Sequence, residues 1–274
     1  MKTKNKILLF IPMYNCERQI VRVLAQLDEE IQSYLSKVII VNNRSTDNGE
    51  KAVTEYIKSS KLRIPVSLLR NDENYGLGGS HKAAFSYAVR NGFDYVIVLH
   101  GDDQGHINNI LPYLKNEEYK KYDCLLGARF MKGSHLDGYS AFRTFGNRVY
   151  NLMFSAVVHR RIFDLGSGLN MYSTDMLRDD FYHKYKDNLM FNYCMILGSY
   201  YKKLNIKYFP IRWSEDDQVS NVKMVNQAIE VIKILGLFAF RKKKFLQKDF
   251  RDREITDYTS QEIYSNERGI ADVP

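Results

Sequence analysis

The sequence predicts an α/β protein: a mostly parallel sheet flanked by helices, with a helical extension at its C-terminal end. Three observations carry that prediction. Short apolar runs alternate with helix-period segments four times within the first hundred residues, and such alternation marks successive βαβ units. The connections between them are short, as compact α/β units require. Polar clusters rich in Asn, Asp, Gly and His follow the apolar runs at Pro12, Asn42, Asn71 and His100. In open parallel sheets, ligands bind beyond these carboxyl ends.

In chain order, Ile7-Leu8-Leu9-Phe10-Ile11 is a strand-length apolar run broken by Pro12 and Asn15. Five residues are too few for a secretory core of roughly 7–15, so the run reads as a first buried strand and the protein as cytoplasmic. Residues 16–36 have helical spacing through Ile20, Val23, Leu24, Leu27 and Ile31. Residues 38–41 form a second strand and 47–60 a second helix, with Asp47 as N-cap. Residues 66–69 form a third strand, 79–91 a third helix ended by Gly92, and 95–99 a fourth strand. The second half is less regular, with strands expected at 123–127, 169–172 and 206–211 and a helix at 143–158. Residues 222–240 give a further helix with Val225, Ile229, Ile232 and Leu235 on one side. Its end, 234–240, is apolar all round, and Arg241-Lys242-Lys243-Lys244 follows. Such an end can lie in an anionic membrane interface, or pack in the core with a solvated basic end. From residue 249 the chain is polar and weakly periodic, a tail that is either mobile or wraps a second copy in a homo-oligomer.

Composition narrows the function. With 274 residues, 45% hydrophobic and 26% charged, the chain can bury a sizeable core. It is neither a disordered polymer nor a disulfide scaffold. Cys16, Cys124 and Cys194 lie far apart without a C-x-x-C pair, which suits a reducing compartment and argues against structural zinc. Lys and Arg outnumber Asp and Glu by 40 to 32, a formal charge of +8. That excess suits an anionic partner: nucleotide, lipid phosphate or membrane surface. No nucleic-acid recognition motif accompanies it. No segment reaches the ~18 apolar residues that span a bilayer.

The chemistry concentrates at the strand ends. His100-Gly101-Asp102-Asp103-Gln104 closes the fourth strand. Oxygen ligands from Asp102 and Gln104 suit Mg²⁺ or Mn²⁺ held against a diphosphate. Taken alone, the same residues are an acidic turn. Pro12-x-Tyr14-Asn15 follows the first strand, Asn42-Asn43-Arg44-Ser45-Thr46-Asp47 the second, and Asn74-x-Gly76-x-Gly78-Gly79 opens the third helix. An amide at Asn42 or Asn43 can read a pyrimidine edge or cap an Asx turn. The glycines allow close backbone approach to a ligand or simply make the turn.

In order and spacing these signatures resemble family 2 glycosyltransferases of the GT-A fold. Gly127-Ala128-Arg129-Phe130, Arg143-x-x-x-Asn147-Arg148 and Asp164-x-x-Ser167-Gly168 resemble one branch, the dolichol-phosphate mannose synthases and bacterial polyprenyl-phosphate glycosyltransferases. The resemblance spans residues 7 to 221 and implies a GT-A domain over 1–221; beyond it, the residues themselves suggest an amphipathic helix over 222–248 that can be membrane-interfacial or core-packed, and a polar tail over 249–274. It implies a nucleotide-sugar site at Pro12, Tyr14, Asn15, Asn42, Asn43, Ser45, Gly76, Gly78, Gly101 and Asp102. The metal would sit on Asp102 and Gln104, with His100 as a third candidate. The acceptor phosphate would meet Arg129, Arg143, Asn147 and Ser167. Asp102, Arg129 and Arg143 are the expected catalytic residues, and Arg148 is a weaker acceptor-side candidate.

Departures from the family pattern refine this expectation. His100 stands where the metal motif usually has its first Asp; it is either a ligand, which imidazole makes more natural for Mn²⁺, or a packing residue. Asn42 and Asn43 replace two aspartates. The stretch Leu189-Met190-Phe191-Asn192-Tyr193 lacks the carboxylate that activates hydroxyl acceptors in the family. A lipid phosphate is already ionised and needs no such base, although Asp164, Asp216 or Asp217 could supply one. Residues 213–221 resemble a loop that closes over the donor, or form an acidic capping loop. The expected activity is metal-dependent, inverting transfer of a sugar from a nucleotide-diphosphate sugar, UDP-linked rather than GDP-linked, to a polyprenyl phosphate at the cytoplasmic membrane face. The rivals are a same-fold transferase acting on a glycan hydroxyl and a non-catalytic nucleotide-sugar-binding protein.

Overall fold

The computed structural model describes residues 5–60, 62–215 and 224–267, with side chains from 228 onward in the last segment. The first half follows the expected alternation: β1 (Ile7–Met13), α1 (Glu17–Ala25), α2 (Glu29–Gln32), β2 (Lys37–Asn42), α3 (Gly49–Ser59), β3 (Val66–Asn71), α4 (Gly76–Arg90) and β4 (Tyr95–Leu99). The helix expected over 16–36 is two helices. Asp28 takes an extended backbone (ψ 173°) and its carboxylate caps α2 by accepting from the Ile31 N–H; a capping Asp competes with helix continuation. The second half adds α5 (Leu111–Lys115), β5 (Cys124–Ala128), β6 (His135–Asp137), α6 (Ala141–Val158), β7 (Leu169–Ser173), α7 (Thr174–Leu177), α8 (Phe191–Tyr201), β8 (Ile206–Pro210), β9 (Arg212–Ser214), α9 (Met224–Phe240), α10 (Lys242–Gln247) and β10 (Ser260–Ser265).

The main sheet has the order β10-β3-β2-β1-β4-β7-β5-β8. β1 pairs in parallel with both β2 and β4, so the order reverses beside β1, and the crevice at this switch point is where such sheets bind ligands. β7 runs antiparallel between β4 and β5, while β5 and β8 are parallel. β6 and β9 continue that last pair as a two-stranded parallel ribbon, which carries residues 135–137 and 212–214 over the carboxyl edge. Strand β1 is buried on both faces, as parallel strands are. Ile7, Leu9 and Ile11 join the core under α1–α3, while Leu8 and Phe10 join the larger core under α4, α6, α8 and α9.

Two expectations about the C-terminal third change. In α9, Val231, Ile234, Leu235 and Phe238 are buried, so one side of the apolar stretch 234–240 packs into the core and the stretch is not a wholly exposed interfacial end. Ile229, Ile232 and Phe240 remain exposed; the side chain of Val225 lies outside the described set. The polar tail also folds back. Phe250, Ile255 and Tyr258 are buried, and β10 joins the sheet edge antiparallel to β3. A polar sequence suits an edge strand, where charge discourages further pairing. Among the described residues, no helix is long and apolar enough to cross a membrane.

Candidate active site

The donor-side residues gather at the carboxyl ends of β1 and β2. Tyr14 is half exposed beyond β1. Asn15 takes a left-handed φ of 49° and binds the second loop: its N–H donates to Ser45 Oγ (3.0 Å), and its Oδ1 accepts from the Thr46 N–H (2.8 Å) and the Thr46 hydroxyl (3.3 Å). Gly101 donates its N–H to the Pro12 carbonyl at 3.1 Å. A Cβ at Gly101 would stand 2.7 Å from that oxygen, so only glycine lets the β4 loop close on β1.

Asn42 and Asn43 meet protein groups instead of a free edge for a base. Asn42 Oδ1 accepts from Ser45 N–H (2.9 Å), in the manner of an Asx turn, and its Nδ2 donates to Glu50 Oε1 (2.6 Å). Glu50 is paired with Arg70, whose hydrogen bond holds the carboxyl below its ordinary value. Asn43 Nδ2 donates to Asn74 Oδ1 (2.8 Å), while its Oδ1 accepts from Asn71 Nδ2 and the Tyr75 N–H (both 2.9 Å). The glycine-rich turn is likewise occupied. Gly76 has φ +71°, and the Gly78 N–H donates to the Asp187 carbonyl at 2.7 Å. A Cβ at Gly76 or Gly78 would come within 2.3 or 2.4 Å of the 186–187 backbone. The close approach that glycine permits here is to the protein's own chain.

The metal motif splits in two directions. Asp103 (φ 60°) turns back to α1, pairing with Arg22 (2.5 Å) and Gln26 (2.9 Å). Asp102 stays at the strand end, where its Oδ1 accepts from the Gln104 N–H (3.3 Å). Burial pushes its carboxyl up to about 6, so a neighbouring cation would favour its ionised form. Gln104 Nε2 donates to Glu215 Oε1 at 3.2 Å. His100 faces the core: its ring lies against Gly168, 2.9 Å from where a Cβ would be, and meets the buried His81 edge-on at 6.0 Å. Its Nε2 is buried without a partner, and burial, with the Arg129 charge second, lowers its pKa to about 4. The described residues contain no cluster of three His, Cys, Asp or Glu side chains that could hold a metal.

The acceptor-side residues lie around β5, β6 and α6. Arg129 is buried in a bidentate pair with Asp164, with Nε and Nη2 each 2.8 Å from a carboxylate oxygen and its own N–H also on Asp164. Burial opposes its charge, but Asp164 outweighs burial and raises the guanidinium above its ordinary value. Phe130, Tyr139 and Trp213 surround it at 5.0–5.7 Å. Asp164, a candidate base from sequence, is thereby committed to the pair. Arg143 stacks on Tyr139 at 4.8 Å and donates through Nη1 to both oxygens of Glu215 (2.8 and 2.7 Å). Asn147 donates to Tyr139 Oη (2.9 Å), Ser167 is buried against Leu169 and Asn170, and Arg148 is exposed on α6. The start of α8 presents Asn192, not a carboxylate. Asp216, Asp217 and the rest of the 216–221 stretch lie outside the described residues.

Sequence reasoning missed Tyr139, and took in Glu215 only as part of the 213–221 loop, without its pairing to Arg143. Their signal is positional: both flank the β6–β9 ribbon, which only the pairing of β5 with β8 brings over Arg143.

Comparison with known proteins agrees with this architecture. A Micrococcus luteus undecaprenyl-phosphate mannosyltransferase is 24% identical over 174 residues, covering 63% of this chain and 68% of the relative. A dolichyl-phosphate β-glucosyltransferase from Trichomonas vaginalis is 21% identical over 267 residues, covering 90% and 75%. The structure of Mycobacterium tuberculosis glucosyl-3-phosphoglycerate synthase with Mn²⁺, UDP-glucose and glycerol 3-phosphate superposes with a TM-score of 0.59 at 13% identity, over 85% of this chain and 79% of that one; at that identity the likeness is one of fold. The profile described as glycosyl transferase family 2 matches residues 9–181, which takes in the β1, β2 and β4 loops, both arginine positions and Asp164. The chain therefore belongs to glycosyl transferase family 2, and is a glycosyltransferase.

Proposed function

We propose that this protein transfers a sugar from a nucleotide-diphosphate sugar, UDP-linked rather than GDP-linked, to a polyprenyl phosphate at the cytoplasmic face of a membrane. The observation that carries the proposal is one juxtaposition. Gln104, two residues from the half-buried Asp102, contacts Glu215, which in turn holds Arg143. The proposed cation ligands and the proposed phosphate-binding arginine thus share one edge of the sheet. The absence of a carboxylate at the start of α8 supports the same choice, because an ionised phosphate needs no base.

In this reading the lipid phosphate oxygen attacks the anomeric carbon, the bond to the donor's diphosphate breaks, and a single displacement inverts the centre. Arg143 orients the attacking phosphate through its planar fork. Arg129, locked to Asp164, shapes the wall with Tyr139 and Trp213. Asp102 and the Gln104 amide oxygen would hold Mg²⁺ or Mn²⁺. Their donor set suits a cation shared with substrate phosphates rather than an all-protein cage. When bound, such a cation draws charge from the departing diphosphate. His100, turned toward His81, is better placed as a packing residue than as a ligand.

Membrane contact is assigned to α6 instead of residues 234–240. Phe142, Phe145, Val149 and Leu152 are 69, 68, 39 and 71% exposed and follow helical spacing along one face. α9 packs against α6 and adds exposed Ile229 and Ile232.

The test is incubation of the purified protein with UDP- and GDP-sugars plus a short prenyl phosphate, the products identified by mass spectrometry. A UDP-sugar should yield prenyl-phosphate sugar, and Asp102→Asn should abolish it. Transfer to prenyl alcohols but not to the phosphate would overturn the acceptor assignment.

A further inference from the structure

The two arginines of the acceptor side are held very differently. Arg129 and Asp164 have side chains 9 and 1% exposed and share three hydrogen bonds; opening such a buried pair leaves an uncompensated charge. Arg143 and Glu215 are 36 and 16% exposed, so water competes for both. The Glu215 carboxylate is nonetheless delivered to a fixed place. Its backbone N–H donates to the Asp137 carbonyl at 3.0 Å, and the preceding Ser214 N–H donates to Gln104 O at 3.1 Å. Gly138, at φ +71°, closes against the Glu215 carbonyl, where a Cβ would stand 2.6 Å away. Tyr139, the next residue, stacks under the Arg143 guanidinium at 4.8 Å. The same short turn therefore presents Glu215 and seats Arg143.

We propose that Glu215 occupies Arg143 until an anionic headgroup displaces it, so that this carboxylate is an internal competitor that tempers phosphate binding at Arg143. The inference rests on the lipid-phosphate function above. A phosphate monoester carries about −1.5 to −2 charges and three acceptor oxygens, against one charge and two oxygens on Glu215. It can therefore take over both bonds to Arg143 and add more. A hydroxyl has no charge with which to compete and leaves the pair closed. Arg143 is thus the exchangeable arginine of the site and Arg129 the fixed one.

Glu215→Gln isolates the charge, because the amide oxygen can still accept from Gln104 Nε2. Calorimetric titration with geranyl monophosphate, without donor and at low salt, should give binding about two- to fivefold tighter in the variant, the range expected from a half-exposed pair. Raising the salt should narrow the difference, and adding Arg143→Ala to both proteins should remove it. Geraniol should bind both proteins alike. A thermal melt verifies that Glu215→Gln is folded. Equal or weaker phosphate binding by the variant, with wild-type transfer to geranyl phosphate intact, overturns the competition and leaves the proposed function standing. Absence of both binding and transfer to geranyl phosphate in the wild type overturns the acceptor class, and the role of Glu215 with it.

Discussion

A single atom distinguishes Asn42 from the aspartate common in the family, and its partners explain the choice. The Nδ2 that an Asp would lack donates to Glu50, which Arg70 already holds. An Asp at this position would set two carboxylates 2.6 Å apart in a buried turn. Asn42→Asp should therefore destabilise the protein by about 1–3 kcal/mol at neutral pH, and Glu50→Gln added to it should restore most of the loss, as neighbours in one network couple. Urea unfolding of the four proteins measures both terms. A neutral Asn42→Asp, or no rescue, would disprove the pairing. The pH sense follows from Glu50, whose folded value lies below its unfolded one: its contribution is present above the ordinary carboxylate range and fades as the pH falls through it. This network was illegible in the sequence because its members sit on two strands, a helix and the loops between them. Asn42 meets residues 50 and 70, and Asn43 meets residues 71, 74 and 75. The position of Asp102 at the end of β4 was legible because an acidic turn after an apolar run has few other places to go. Arg129 and Asp164 were both singled out, but 35 residues of separation hid that they neutralise each other.

Elements show a different limit. The helix over α6 was predicted within two residues at its start, yet its outward face was not. Phe142, Phe145, Val149 and Leu152 point to solvent while Phe154 is fully buried, so the helix carries apolar residues on both sides, and periodicity cannot say which side meets the core. In α9 the same ambiguity favoured a membrane face for residues that the core in fact takes. The exposed row on α6 leads to a paired test. Phe145→Glu with Leu152→Glu should leave the melting temperature nearly unchanged, since neither side chain is buried. It should weaken co-sedimentation with anionic vesicles at least tenfold, because each large apolar side chain withdrawn from an interface forfeits about 1.5–3 kcal/mol. Phe238→Glu should do the reverse, unfolding the protein by placing a charge in the core. Wild-type vesicle binding by the double variant would remove α6 from the membrane assignment. If analytical ultracentrifugation instead finds a dimer that the same variant breaks, this face joins two copies of the chain.

At the scale of the whole molecule, the C-terminal segment closes the fold, and Lys82 is the pin. Its Nζ, almost fully buried within α4, donates to Asp187 Oδ1 (2.6 Å), to the Tyr185 carbonyl (2.6 Å) and to Tyr258 Oη (3.1 Å), while Tyr258 donates to the same Asp187 oxygen (2.7 Å). The Asp187 carbonyl in turn receives the N–H of Gly78 at the start of α4. The glycine-rich turn, the 185–187 segment and the returning tail therefore share one buried node. Burial lowers the Lys82 pKa to about 8 despite Asp187. Its folded value thus lies below the unfolded value of about 10.4, and its contribution to stability grows as the pH rises between the two. Lys82→Met should cost about 3 kcal/mol at pH 7, since it strands Asp187, and should lower the melting temperature by several degrees for a chain of this size. Lys82→Met with Asp187→Asn should recover part of that loss. Hydrogen exchange supplies the decisive readout. If the node joins the parts, the amides of β10 and of the first turn of α4 should lose protection together in Lys82→Met, although more than 170 residues separate them in sequence. Loss confined to β10 would make the tail a separable strap. Unchanged protection in both would mean that strand pairing with β3 alone holds it.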